Sequence, residues 1–161
     1  MGIEDETESQ GTTLLFAGTA FDGFTLGNGY AVEFFSPGFL QCDGAIPLSC
    51  GDSISSGTPS PPPPGLDARR YCTADEYAAS DRVFTLDLDR PLDIDAAISG
   101  FGARRLDLFL LGSCDQDDCL AGGADTLHYA AIHAGTYTLV VDGLDPADEG
   151  PFDISVTCTD P

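Results

Sequence analysis

The chain has 161 residues, with 27 Asp and Glu against six arginines and no lysine, and a formal net charge of -21. A surface of that sign repels phosphate backbones and anionic lipid, which argues against nucleic acid and membrane surfaces as partners. The longest apolar runs fall far short of the about 18 residues of a transmembrane helix, and the length suits one domain burying roughly two thirds of its unfolded surface.

Residues 1–11 are acidic, small and polar, as in a flexible leader. They lack the basic start and apolar stretch of a signal peptide, so the expectation is that a secretion signal was removed, or replaced by an initiating Met, ahead of this numbering. Residues 12–40 turn strongly apolar. Phe24, Leu26, Tyr30, Val32 and Phe34 alternate with small or polar neighbours around Asn28-Gly29, a strong short-range hairpin signal. Further on, Pro59 and the run Pro61 to Pro64 rule out a central strand over residues 57–65 and predict a stiff surface loop.

The rest reads as strands separated by turns, with no window of a dozen residues keeping a helical period. Residues 82–88 place Phe84, Leu86 and Leu88 on one face, and residues 92–98 do the same with Leu92, Ile94, Ala96 and Ile98. These are half-buried antiparallel strands. Residues 106–111 are apolar on both faces apart from Asp107, and residues 136–141 behave similarly, as interior strands would. Phe152, Ile154, Val156 and Cys158 close the chain with a clean alternation.

Six cysteines, Cys42, Cys50, Cys72, Cys114, Cys119 and Cys158, occur without a CxxC pair or a His-rich cluster, which fits a disulfide framework and an extracellular or cell-surface location. Spacing alone leaves all 15 connectivities open. Of the acids, 21 are Asp, and short carboxylates on loops suit calcium. Two segments qualify as calcium ligands: Asp115, Asp117 and Asp118 between Cys114 and Cys119, and Asp142, Asp145 and Asp148 in a loop between two strands. The only histidines, His128 and His133, stand five apart, and no serine sits in a G-x-S-x-G elbow, so no catalytic set is expected.

The blocks Ala45-Ile46-Pro47-Leu48-Ser49-Cys50-Gly51-Asp52, Val83-Phe84-Thr85-Leu86, Leu106-Asp107-Leu108-Phe109-Leu110-Leu111, the stretch from Gly112-Ser113-Cys114 to Cys119-Leu120-Ala121, and Ala134-Gly135-Thr136-Tyr137-Thr138-Leu139-Val140-Val141-Asp142-Gly143 occur in that order. Together, over about residues 42–158, they resemble the cysteine-containing form of the bacterial pre-peptidase C-terminal (PPC) domain. The resemblance implies an all-β, jelly-roll-like antiparallel sandwich, usually a non-catalytic module of secreted enzymes and surface proteins, some of which bind calcium. It also favours pairing Cys50 with Cys72 and Cys114 with Cys119, leaving Cys42 for Cys158. About eight short strands with turns between them support such a sandwich independently, here with an extra N-terminal hairpin ahead of a domain over residues 41–161.

The expected role is structural or adhesive, outside the cell. In one version the chain is a subunit of an extracellular fibre or surface assembly, with Phe24, Leu26, Tyr30, Val32 and Phe34 either added to their own sandwich or donated to a neighbouring copy. In the other it is an accessory module that binds a protein or polysaccharide.

Overall fold

The computed structural model describes residues 25–26, 30–31, 40, 42–58 and 69–161. Internal contacts divide the chain into two compact units, Met1–Phe34 and Phe35–Pro161. In the first, β1 (Thr25–Leu26) pairs antiparallel with β2 (Tyr30–Ala31), Leu26 opposite Tyr30. Phe24, Val32 and Phe34 lie outside the described residues, as does the proline run at 61–64.

Among the described residues, the second unit is a β-sandwich of nine strands. They are β3 (Ile46–Leu48), β4 (Ser53–Gly57), β5 (Arg82–Leu88), β6 (Leu92–Ser99), β7 (Leu106–Leu111), β8 (Cys119–Gly123), β9 (Thr126–Ile132), β10 (Gly135–Gly143) and β11 (Pro151–Thr159). A five-stranded sheet has the order β3-β5-β10-β7-β8, and a four-stranded sheet the order β4-β11-β6-β9. All pairings are antiparallel except β3 with β5.

The alternation in the sequence decides which faces meet. Phe84, Leu86 and Leu88 from β5, Leu108 and Leu110 from β7, and Leu139 and Val141 from β10 pack against Leu92, Ile94, Ala96 and Ile98 from β6 and Phe152, Ile154 and Val156 from β11. Each large side chain fully buried there contributes about 1.5 to 3 kcal/mol. β7 and β10 are apolar on their outer face as well. Phe109, Leu111 and Val140 join Val83, Leu40, Tyr71 and Tyr77 in a second cluster on the outside of the five-stranded sheet.

All six cysteines are oxidised, but the pairing differs from the one the resemblance favours: Cys42 joins Cys114, Cys50 joins Cys158 and Cys72 joins Cys119. Strand register explains this. Ser53 lies opposite Ser155 in the β4–β11 ladder, and Gly51 N–H donates to Val156 O at 2.8 Å, so the ladder brings Cys50 beside Cys158, with Cα atoms 5.3 Å apart. The turn between Cys114 and Cys119 needs no covalent clasp, because Gly112 N–H donates to Asp118 O and Asp118 N–H to Asp115 O. Cys114 instead lies beside Leu40, and Cys119 beside the backbone of Cys72.

Mass spectrometry of peptides from unreduced protein is expected to recover the links 42–114, 50–158 and 72–119. A peptide carrying a bond between Cys114 and Cys119 would contradict the register argument. Replacing Cys50 and Cys158 together by serine should cost up to about 4.8 kcal/mol on the loop-entropy account for their 108-residue separation, measured by urea unfolding.

Candidate functional site

Among the described residues, polar and aromatic side chains gather where residues 69–81 strap the outer face of the five-stranded sheet. The strap is closed on itself by a bridge in which Arg69 and Tyr77 exchange backbone hydrogen bonds of 3.0 and 2.9 Å. Its far end runs beside the end of β10, with Ala78 N–H donating to Leu144 O and Ala79 N–H to Gly143 O. Gly143 permits this approach. A Cβ there would stand 2.9 Å from the Cβ atoms of both Ala79 and Asp148.

Three rings hold the strap down. Tyr71 stacks on Phe109 with centroids 4.1 Å apart, and Tyr77 stands edge-on to Phe109 at 5.0 Å and to Tyr71 at 5.6 Å. Such pairs add to the gain from area burial. The Cys72–Cys119 disulfide ties the strap to the first residue of β8.

Beneath the rings, two carboxyl groups face outward from adjacent strands in direct register, Asp142 on β10 opposite Asp107 on β7. Each accepts a hydrogen bond from one tyrosine of the strap: Tyr71 O–H donates to Asp142 Oδ2 at 2.9 Å, and Tyr77 O–H to Asp107 Oδ2 at 2.6 Å. Gly143 N–H donates to Asp142 Oδ1 at 2.7 Å. Within the strap, Arg69 pairs with Asp81 at 2.6 Å. At its end, Ser80 donates to Glu149 Oε1 from both N and Oγ.

Asp142 is 0% exposed, and burial pushes its carboxyl up to about 8; the hydrogen bond from Tyr71 opposes the shift, and the Asp81 carboxylate adds to it. Burial also raises Asp107, against the pull of the Tyr77 hydroxyl. Both tyrosines are raised as well, chiefly by burial, Tyr77 to about 12 and Tyr71 well above its usual value. At neutral pH the interface therefore holds protonated Asp142 and two neutral phenols.

The residues singled out for calcium fall in three separate places. Asp115, Asp117 and Asp118 lie in the β7–β8 turn, where Asp115 Oδ1 accepts from Asp117 N–H at 2.9 Å. Asp145 and Asp148 cap the 3-10 helix Pro146–Asp148 reciprocally, and Asp148 Oδ1 also accepts from Arg105 N–H. Asp142 is a correction: it lies not in a loop but within β10, buried under the strap, because the ladder with β7 continues through it to Gly143. Among the described residues no group of three or more His, Cys, Asp or Glu is gathered as a metal ion requires. His128 is exposed on β9, its Nδ1 2.8 Å from Asp95 Oδ1, while His133 lies in the β9–β10 turn, where its carbonyl accepts from Tyr137 O–H.

Sequence reasoning missed Tyr71, Tyr77, Arg69 and Asp81. A usable signal was present nonetheless: Asp107 and Asp142 each interrupt or end an otherwise apolar strand, and a carboxyl in such a place needs a buried donor.

No family model and no curated protein matches the chain. Solved structures share its fold, two of them as follows. The pre-peptidase C-terminal domain of a collagenase from Bacillus anthracis is 16% identical with a TM-score of 0.51, over 73% of this chain and 98% of that one. PliG from Aeromonas hydrophila, a periplasmic inhibitor of g-type lysozyme, is 12% identical with a TM-score of 0.50, over 71% of this chain and 96% of that one. The fold is thus a PPC-like β-sandwich, and the three disulfides suit an oxidising space outside the cytoplasm.

Because Asp142 binds its proton more tightly folded than unfolded, its contribution to stability is complete below the ordinary carboxylate range and lost as pH rises through about 8. Melting temperature should therefore fall between pH 5 and 8, and Asp142→Asn should flatten that slope in calorimetric scans. Gly143→Ala should destabilise by about 1 to 3 kcal/mol through overpacking against the strap, read from chemical denaturation.

Proposed function

We propose that the chain is a non-catalytic structural or adhesive module that works outside the cytoplasm by holding another protein on a rigid, anionic surface. The observation that carries this reading is how the buried polar side chains are used. Asp142 bonds the strap's Tyr71, Arg69 pairs with Asp81, and Ser80 bonds Glu149, so their chemistry goes into fixing the surface in place. Three disulfides over the same unit add to that rigidity, and a preordered surface loses little entropy on binding. The likeness to a collagenase's pre-peptidase C-terminal domain and to an inhibitor of g-type lysozyme supports a module that serves or meets another protein. A net charge of -21 favours a cationic one.

A second reading, self-assembly into a fibre or surface layer, draws on the division of the chain at residue 34. A separate N-terminal unit carrying Leu26 and Tyr30 in a paired β-ribbon could join a neighbouring copy. Isothermal titration of the oxidised full-length chain with g-type lysozyme, alongside sedimentation and electron microscopy of the chain alone, tests both readings. The first expects a stoichiometric complex that weakens as salt is raised from 50 to 500 mM; the second expects filaments. A protein that stays monomeric at about 100 μM and gives no heat with the lysozyme would defeat the proposal in both forms.

A further inference from the structure

The outer face of the five-stranded sheet places carboxyl groups together in a way that cannot be neutral to pH. Asp107 and Asp142 are cross-strand partners on one face, where paired side chains stand about 4.5 to 5.5 Å apart and like charges repel. The groups that face them include acids, arginines and phenols. The strap brings Arg69, Tyr71, Asp75, Tyr77 and Asp81, the approach to β7 brings Arg105, and the turn after β10 brings Asp148. Arg69 is engaged by Asp81, and Arg105, exposed just ahead of β7, favours the charged form of Asp107. Tyr71 O–H and Gly143 N–H donate to Asp142 and Tyr77 O–H to Asp107, and a proton on the buried Asp142 relieves the remaining charge.

The strap is also the part of the unit that could respond locally. It is held by rings, by the two tyrosine hydroxyls and by a short set of backbone bonds, while the Cys72–Cys119 disulfide limits how far it can move. We propose that residues 69–81 form a pH-dependent latch, shut while Asp142, buried beneath the strap and bonded to its Tyr71, holds a proton and looser as that proton is lost, alternately covering and uncovering Phe109, Leu111 and Val140. Burial lifting Asp142 to about 8 supports the direction and sets the range. Lifting the strap hydrates the carboxyl and releases its proton, so opening becomes easier with each pH unit until the closed form is itself ionised.

Hydrogen exchange tests the latch. Ala78 and Ala79 donate their amides to Leu144 and Gly143, while Val156 donates to Asp52 within the sandwich and serves as the reference. With the base-catalysed chemical rate divided out, protection at Ala78 and Ala79 should fall by up to tenfold per pH unit between pH 5 and 8 and level off above that, with Val156 unchanged. In Asp142→Asn, whose amide cannot ionise, the fall should vanish. Wild-type protection that is flat over this range, or a fall of equal slope in Asp142→Asn, would overturn the proposal. If that variant does not fold, the carboxyl carbon resonances of the wild type decide: that of Asp142 must titrate near pH 8 together with the strap amides, and its titrating below pH 5 refutes the latch.

Discussion

Two central strands that are apolar on both faces impose the constraint from which the architecture follows. β7 and β10 lie side by side within the five-stranded sheet, and neither face of the pair can be left in water without forfeiting several kcal/mol of burial. The four-stranded sheet covers the inner face. Among the described residues, Leu40 and the strap with its tyrosines cover the outer face, and disulfides anchor both coverings to neighbouring turns and strands. The carboxyls of Asp107 and Asp142 sit where this covering meets the sheet. The same contact that keeps Phe109 dry therefore also sets the proton affinity of the site.

What could be read from the sequence follows from how each strand is stabilised. β5, β6 and β11 bury one face, and their alternation of large apolar with polar residues is plain; β7 and β10 stand out as apolar on both faces. β3, β4 and β8 carry no such signal, since Ile46-Pro47-Leu48, Ser53–Gly57 and Cys119–Gly123 are short, proline- or glycine-bearing edge segments set by a neighbour's ladder rather than by their own apolarity. β9 falls between. Only Leu127 and Ile132 are buried in it, and a register shift opposite Leu92 and Ile94, with Ala131 at φ 51, breaks its period. The site was hidden for a related reason: Tyr71 and Tyr77 reach Asp142 and Asp107 across 71 and 30 residues of sequence, and no local pattern encodes such a contact.

The scarce cations are placed with the same economy. Arg69 is buried against Asp81, Arg82 donates to the carbonyl of Gly57 at 2.6 Å, and Arg104 donates to the carbonyls of Phe101 and Pro151. Guanidinium groups there fasten turns and strand ends, where a planar donor with several N–H groups satisfies carbonyls that the ladders leave over. Little positive charge remains outside to offset the carboxylates, apart from exposed pairs such as Arg70 with Glu76 and Arg90 with Asp160. Those exposed pairs add little to stability, and the surface presents a largely single sign to whatever approaches it.

The disulfide connectivity bears on how the chain can be made. In chain order, the first cysteine pairs with the fourth, the second with the sixth and the third with the fifth, so no native bond joins two cysteines adjacent in sequence. A chain emerging amino-terminus first into an oxidising compartment offers Cys42, Cys50 and Cys72 to one another long before Cys114, Cys119 or Cys158 arrives. Any bond formed in that interval is wrong and has to be reshuffled by thiol–disulfide exchange. Correct oxidation of this chain therefore requires either that its thiols stay reduced until β11 is available, or that early disulfides are exchanged afterwards.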